Sequence, residues 1–244
     1  MTQANEQNKA EKLTSSQSLQ IWDLPVRIFH WSLVILFIVA YVTNSLGPNY
    51  FTYHLWSGYA IIVLVLFRII WGLVGTYHAR FINFVRNPLT TTKYALSVFK
   101  KNDPHHLGHN PLGAVMVVAL LLAMLVQAVT GLFGNDEIFN TGPLYAYISD
   151  ELSLQLTSLH RQLFYWILGA VILHIAAVFL HVWFKRDNII KAMFTGKKNA
   201  KDSADANIIS SSKIWLAVAI IIIISLLLAW IISSAPIAVS DPGY

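Results

Sequence analysis

Five long apolar stretches dominate the chain, at residues 28–45, 55–74, 112–133, 161–183 and 214–233. Each approaches the roughly 20 residues with which an α-helix crosses the hydrocarbon core of a bilayer. We therefore predict five transmembrane spans, numbered one to five along the chain. The polar segments between them have room for turns and one interfacial helix, and none of them is long enough for a soluble domain.

The composition agrees with this pattern, because 56% of the 244 residues are hydrophobic and only 12% are charged, against roughly 25% charged residues in soluble domains. The predicted fold class is an all-α integral membrane helical bundle, in which four spans form a core and the fifth is a C-terminal addition. The expected divisions are a disordered cytoplasmic tail at 1–20, the four-helix membrane domain at 21–200, a cytoplasmic linker at 201–213, and the fifth span with a short periplasmic tail at 214–244.

Basic residues are distributed unevenly among the connections. The connections at 46–53 and 134–159 contain no Lys or Arg, whereas those at about 75–110 and 184–213 contain five and seven. Basic residues are retained on the cytoplasmic side, so we expect a cytoplasmic N-terminus and a periplasmic C-terminus. The net charge of +5 comes from these loops, which would lie beside anionic lipid of the bilayer. Nothing in the charge pattern indicates nucleic acid. The basic residues are Arg80, Arg86, Lys93, Lys100, Lys101, Lys185, Arg186, Lys191, Lys197, Lys198, Lys201 and Lys213.

Cysteine is absent. The chain therefore cannot form disulfides, Cys-ligated iron–sulfur clusters, covalent CxxCH haem or thiolate zinc sites by itself. A metal held by this chain must rest on His, Met or carboxylate side chains.

Four histidines lie within or at the ends of the predicted spans, where ionisable side chains are costly and usually functional. In span four, His160 and His174 are fourteen residues apart, which places both on one helix face about 21 Å apart along the axis. His54 begins span two at the outer level of His160. His30 lies fifteen residues before the outer end of span one, about 22 Å deep, at the level of His174.

Depth therefore groups the histidines as an outer pair, His54 with His160, and an inner pair, His30 with His174. Each pair offers two axial nitrogens to the iron of a haem between facing helices. The alternative for any single histidine is a packing role, with the imidazole bonded to a backbone carbonyl.

Other residues near these levels favour cofactors. Gly58, one turn below His54, would let a porphyrin approach the backbone, or is a helix-packing glycine. Arg68, fourteen residues from His54, is on the same face at the inner level and would bind a haem propionate, or extend to the cytoplasmic interface. Arg27 and Arg161 are further propionate candidates because each lies beside a ligand position.

The segment GHNPLGA at 108–114 brings polar groups to the start of span three, near the inner pair. His109 could exchange a proton with a quinone, Asn110 could hydrogen-bond a quinone oxygen, and Pro111 and Gly113 would leave space for a flat ring beside His174. The alternative is a helix cap, because Asn before Pro is an ordinary start signal. The two roles can coexist.

The remaining histidines have no assigned role. His181 lies on the face of His174 and is either interfacial or part of a proton path. His78, His105 and His106 fall in the second connection, and their spacing matches no strong zinc pattern.

Several motifs together resemble the bacterial di-haem cytochrome b family, over about residues 21–200. They are IWDLPVRIFHW, HLWSGYA, FRIIWGLVGTYHARF, GHNPLGA, TGLF and the paired histidines of span four. The family includes the membrane subunits of nickel–iron hydrogenases and formate dehydrogenases, and shorter cytochromes b that pair with periplasmic cytochromes c, which look closest. Its ligand positions fall on His30, His54, His160 and His174.

The resemblance implies two haem b groups in a four-helix core of the bacterial inner membrane and a place in a respiratory chain. It also implies electron exchange between menaquinone or ubiquinone and a periplasmic partner, a cytochrome c or an oxidoreductase subunit. The outer connections 46–53 and 134–159 would form the docking platform. Their acidic residues suit a basic partner, or are simply solvated; they are Asp136, Glu137, Asp150 and Glu151. Whether the chain is part of an enzyme is left open, because it contains no catalytic subunit and would be at most the quinone-reactive part of an oxidoreductase.

Two other classes of function remain to be distinguished. A transporter or membrane anchor can use intramembrane histidines without a metal, and it would lack the visible bands of a haem protein. A terminal enzyme needs an open haem coordination site, which four matched ligands on two irons would not leave.

Overall fold

The computed structural model describes residues 18–97, 108–138, 140–199 and 209–236, and helices account for most of them. A short antiparallel pair of strands accompanies the helices, β1 at Ser18–Gln20 and β2 at Lys197–Asn199. The helices are α1 Leu24–Ser45, α2 Phe51–Val74, α3 Phe81–Phe84, α4 Pro88–Ser97, α5 Pro111–Leu132, α6 Asp150–Lys185, α7 Ile189–Thr195 and α8 Ile214–Ser233.

Five of these helices, α1, α2, α5, α6 and α8, are long and apolar enough to cross a membrane. They coincide with the five apolar stretches of the sequence. The predicted all-α membrane bundle with five spans is therefore confirmed.

Helix α6 is longer than the apolar stretch that predicted it, because it begins at Asp150 rather than near 161. Ser149 caps its start by accepting a hydrogen bond from Leu152 N at 3.4 Å. Asp150 and Glu151 in the first turn interact favourably with the helix dipole. A hydropathy pattern does not detect the polar turns before residue 161, although these turns are helical. His160 consequently lies ten residues inside the helix rather than at its end.

The strand pair changes the description of the N-terminal tail. Residues 18–20, expected in the disordered segment 1–20, form β1 against β2; residues 1–17 lie outside the described chain. The turn before β2 is fixed by Gly196, whose carbonyl accepts hydrogen bonds from Ile21 N and Trp22 N. Its φ of 80° and the 2.7 Å from an added Cβ to the Trp22 carbonyl leave room for glycine alone.

The chain divides into two compact units. The first contains residues up to 28, 71–116 and 176–214, and the second contains 29–70, 117–175 and 215 onward. The second unit contains all four histidines of the two predicted pairs, His30, His54, His160 and His174.

A buried carboxylate organises the first unit. Asp23, only 1% exposed, precedes α1 and accepts hydrogen bonds from Val26 N at 2.7 Å, from Trp71 Nε1 at 3.1 Å and from the Thr76 hydroxyl. It thus caps α1 and ties that cap to the end of α2. Each buried donor left unpaired would cost about 1–3 kcal/mol, so this side chain holds three segments together.

The start of α8 is also tied to the first unit. Ser212 Oγ accepts a hydrogen bond from Leu24 N at 3.4 Å, and Lys213 Nζ donates to the carbonyls of Val74 and Gly75. The described end of the predicted linker 201–213 therefore satisfies backbone groups at the ends of α1 and α2. Residues 201–208 lie outside the described chain.

In the second unit, an aromatic stack joins α1 to α6: the Phe164 ring lies 5.9 Å from Phe37 and 5.4 Å from Tyr41. Helix α8 packs elsewhere, with Leu228 in a buried apolar cluster beside Ile62 of α2 and Leu132 of α5. Helix α8 carries no histidine.

Candidate functional site

The four histidines singled out by the sequence all belong to the second unit. His30 lies in α1, His54 lies one turn into α2, and His160 and His174 both lie in α6. No other helix of the described chain contributes a histidine to this unit.

The outer pair is in contact. The imidazoles of His54 and His160 have ring centroids 6.3 Å apart and planes inclined by 81°. An imidazole nitrogen lies about 2 Å from a first-row metal such as zinc and about 1.2 Å from its own ring centre, so two imidazoles on one metal have centroids about 6.4 Å apart. The observed separation is compatible with both imidazoles binding one metal ion.

Hydrogen bonds fix the tautomer of each outer imidazole. His54 Nδ1 lies 2.9 Å from the carbonyl oxygen of Ala40 in α1, and His160 Nδ1 lies 2.8 Å from that of Gln127 in α5. A carbonyl only accepts, so each Nδ1 carries the proton and each Nε2 keeps its lone pair. A metal-bound histidine has this arrangement: the far nitrogen donates to a carbonyl and the near one is free to coordinate.

His30 of the inner pair differs from the outer imidazoles in its hydrogen bonding. His30 Nδ1 is buried and has no hydrogen-bond partner among the described residues. A buried polar atom without a partner is costly, and it indicates that the interior near His30 is shaped for a group other than protein.

The two pairs lie at separate depths. Along α6, fourteen residues separate His160 from His174, about 21 Å of helix. Along α1, ten residues separate Ala40, which contacts the outer pair, from His30, about 15 Å. Both spacings fit two cofactors stacked within one hydrocarbon core of about 30 Å.

The space beside the histidines is open at one predicted position. A Cβ built on Gly58 meets no heavy atom within 4 Å. This open position would admit a flat group lying against the backbone one turn from His54. It does not fit a glycine selected for tight helix packing.

The predicted arginines differ in their surroundings. Arg68 is 2% exposed in α2, and a guanidinium buried in a membrane helix calls for an anionic or polar partner. Arg161 is exposed. Arg27 belongs to the first unit, where its guanidinium lies close to Gly196, so the structure gives it a contact away from the histidine pairs.

At the predicted quinone segment, Asn110 is a helix cap: its Oδ1 accepts a hydrogen bond from Gly113 N at 2.7 Å. The His109 ring lies between Trp22 and Phe84, with both centroids 4.7 Å away. The capping alternative is therefore present, and the Asn110 amide group is oriented by it. These residues lie in the first unit.

The remaining histidines are placed in part. His181 Nε2 lies 3.5 Å from Asp187 Oδ2, to which Lys198 Nζ donates at 2.6 Å. The hydrogen bonds from His181 and then Lys198 lower the pKa of Asp187 to about 2, so this carboxylate remains ionised at physiological pH. His78 lies in a turn after α2, and His105 and His106 lie outside the described residues.

Sequence reasoning missed the residues that orient the histidines and organise the helix ends. Asp23 belongs to the same motif as His30, but its burial cannot be read from one sequence. The carbonyls of Ala40 and Gln127 are main-chain groups, so the residue type at these positions does not indicate their role. Thr130, whose hydroxyl lies 3.3 Å from His160 Nδ1, begins the TGLF motif, and its position as an intramembrane polar residue is a signal that could have identified it.

The known proteins that this chain resembles are b-type cytochromes. The family model described as "Prokaryotic cytochrome b561" matches residues 21–196. The "Probable Ni/Fe-hydrogenase B-type cytochrome subunit" of Rhizobium leguminosarum bv. viciae is 26% identical, with 80% of this chain and 95% of that protein covered. Its namesake in Rhodobacter capsulatus is 24% identical, with coverage of 79% and 86%.

The "Probable Ni/Fe-hydrogenase 1 B-type cytochrome subunit" of Escherichia coli (strain K12) is 23% identical, with 80% of this chain and 95% of that protein covered. No solved structure matches the chain significantly. The family match covers most of the chain, includes all four histidines and ends before α8. The chain therefore belongs to the prokaryotic cytochrome b561 family, and it is a multi-pass membrane cytochrome b that binds haem and transfers electrons.

Proposed function

We propose that this chain holds two haem b groups, one between each histidine pair, and transfers electrons between membrane quinone and a redox partner on the periplasmic side. The contact between His54 and His160, with both Nδ1 atoms bonded to carbonyls, carries the proposal. Bound haem would supply a one-electron iron couple whose potential depends on its axial ligands and their hydrogen bonds.

The residues of the chain would have distinct tasks around the two haems. His54 and His160 would ligate one iron through Nε2, and His30 and His174 would ligate the other. Gly58 would leave room for a porphyrin face, because its Cβ position is open. The buried Arg68 would neutralise a propionate, since a carboxylate is the partner that a guanidinium binds best. Arg161 and Arg27 are further propionate candidates, with less support from their surroundings.

Removing single histidines tests the pairing. We expect His54→Ala and His160→Ala to lose the same haem, and His30→Ala and His174→Ala to lose the other, because each iron needs both of its ligands. Redox titration of the visible haem bands identifies which haem each purified variant retains. His181→Ala is the matched control: it removes a histidine from the same face of α6 and should retain both haems. The pairing is wrong if His54→Ala and His174→Ala lose the same haem.

We further propose that the chain resides in the bacterial inner membrane with its N-terminus in the cytoplasm. The support is the unequal distribution of basic residues, which places residues 46–50 and 133–149 outside and the segments containing α3, α4 and α7 inside. The partner would dock on the outer segments, where Glu137 and Glu151 are exposed and no Lys or Arg lies between 134 and 159. Relatives named as hydrogenase cytochrome subunits support a partner oxidoreductase, and a periplasmic cytochrome c is the other candidate.

The absence of cysteine allows one experiment to test both orientation and docking. Ile138 and Leu89 are 74% and 75% exposed on opposite predicted sides, so Ile138→Cys and Leu89→Cys are matched probes. In intact spheroplasts, a membrane-impermeant maleimide should label only the residue at 138. A thiol-directed photo-cross-linker should capture the redox partner only from that position, and capture only from position 89 would refute the docking side.

We place the quinone near the start of α5, at the segment that contains His109 and Asn110. Quinone reduction consumes protons and quinol oxidation releases them, and an imidazole such as that of His109 is a side chain that can transfer protons. Asn110 uses its oxygen as the cap, which leaves its amide NH2 as the donor that a quinone oxygen would accept from. The Trp22 and Phe84 rings, tilted by 55° and 54° to that of His109, supply aromatic surface for a flat ring.

Conservative substitutions separate this role from capping and packing. The double variant His109→Phe/Asn110→Asp retains an aromatic ring beside Trp22 and Phe84 and a capping oxygen. It loses the imidazole nitrogens of His109 and the amide donor of Asn110. We expect quinol-driven haem reduction to slow at least about tenfold, with both haem spectra unchanged. Asn87→Asp is the matched control, because Asn87 caps α4 in the same way, accepting from Thr90 N at 2.8 Å. A double variant that reacts with quinol at the parental rate would place the quinone elsewhere.

A further inference from the structure

The two carbonyls that orient the outer histidines belong to matched local structures. Ala40 in α1 and Gln127 in α5 each stand three residues before a threonine, Thr43 and Thr130. Both threonines bond back onto the same turn that presents the carbonyl. Other helical Ser and Thr residues, such as Ser45, bond back in the same way, but the carbonyls of Ala40 and Gln127 also contact an imidazole.

The distances follow the same pattern. The Thr43 hydroxyl lies 2.7 Å from Val39 O and 3.3 Å from Ala40 O, and the Thr130 hydroxyl lies 2.8 Å from Val126 O and 2.9 Å from Gln127 O. Such back-bonding bends a helix. A carbonyl has two lone pairs, so the carbonyls of Ala40 and Gln127 can each accept from an imidazole in addition to the helix N–H four residues further on.

Glycine completes the arrangement at α5. A Cβ built on Gly131 would lie 3.0 Å from His160 Cε1 and 3.3 Å from Nδ1, closer than ordinary van der Waals contact. The imidazole therefore rests directly on the α5 backbone. An alanine at position 131 would require the ring to shift by a few tenths of an ångström.

We propose that Thr43, Thr130 and Gly131 are positioning residues that hold the planes of His54 and His160 crosswise and thereby set the electronic properties of the outer haem. The inference rests on the proposed function, since it requires a haem between these two imidazoles. None of the three residues would touch the iron. They act through the carbonyls and the backbone surface that fix each ring.

Two consequences follow from ligand chemistry. When axial imidazole planes are near perpendicular, as the 81° angle implies, ferric low-spin haem gives a highly anisotropic EPR spectrum with one large g value; parallel planes give three resolved g values. In addition, a Nδ1–H bonded to a carbonyl makes the imidazole a stronger electron donor, which favours ferric over ferrous iron. Weakening these bonds should raise the midpoint potential.

The experiment uses the full-length holoprotein in detergent or vesicles, with EPR of the oxidised form and redox titration of both haems. The test variants are Thr43→Val, Thr130→Val and Gly131→Ala, with Thr43→Ser and Thr130→Ser to restore the hydroxyl. Ser45→Ala is the control for the threonines, because Ser45 bonds back to Tyr41 O at 2.8 Å without a part in either ring contact. Gly169→Ala is the control for Gly131, because a Cβ there meets no heavy atom within 4 Å.

We expect the parent protein to show a highly anisotropic signal from the outer haem. In each test variant this signal should move towards smaller anisotropy. The ferrous-to-ferric ratio of that haem at a fixed potential should rise three- to tenfold, the upper value being about 59 mV for one electron. The inner haem should be unaffected. The Ser variants and both controls should behave like the parent.

The inference is overturned if the parent outer haem has a rhombic spectrum. It is also overturned if Thr130→Val and Gly131→Ala retain the parental signal and potential, or if Ser45→Ala and Gly169→Ala produce equal shifts. A parent that carries no haem ligated by His54 and His160 would instead refute the proposed function, and optical spectra of the His54→Ala variant distinguish that outcome. Gly131→Ala retains every hydrogen-bonding group, so it tests the inference even where a valine variant folds poorly.

Discussion

An imidazole inside a bilayer has two ring nitrogens to satisfy and no water with which to satisfy them, and this requirement organises the outer half of the site. His54 and His160 each direct Nδ1–H to a backbone carbonyl of another helix. The same bonds hold the rings in contact, keep Nε2 unprotonated and fix the ring planes. A haem iron bound between the two rings would give the Nε2 atom of each histidine its partner.

The helical arrangement follows from that requirement. A carbonyl can reach a histidine only if their helices are adjacent, so the bonds of the outer pair bring α2 to α1 and α6 to α5. The contact of the pair brings α2 to α6, and the aromatic stack on Phe164 brings α6 to α1. The result is a four-helix core with α8 packed on α2 and α5 through Leu228. The buried Asp23 performs a comparable task in the first unit with hydrogen bonds alone.

The sequence predicts the elements whose cause is local. Apolar runs of membrane length predicted all five spans. The fourteen-residue interval of α6 together with span polarity groups the histidines by level, and this grouping stays a prediction. The polar start of α6 at Asp150 and the strand at 18–20 were missed, because a cap and a strand partner far along the chain determine them. The contacts of the two imidazoles with the carbonyls of Ala40 and Gln127, next to Thr43 and Thr130, depend on helix rotation and on main-chain atoms. A single sequence contains no pattern for such contacts.

The central claim is that the chain contains two complete ligand pairs, each filled by one haem. The most direct measurement is the amount of haem b per chain, determined by pyridine haemochrome on purified holoprotein whose concentration is obtained by amino-acid analysis. Two filled pairs predict a ratio of two, with both haems low-spin and removable by acid–acetone because no cysteine attaches them. A ratio of one, or of zero in a folded preparation, would contradict the claim.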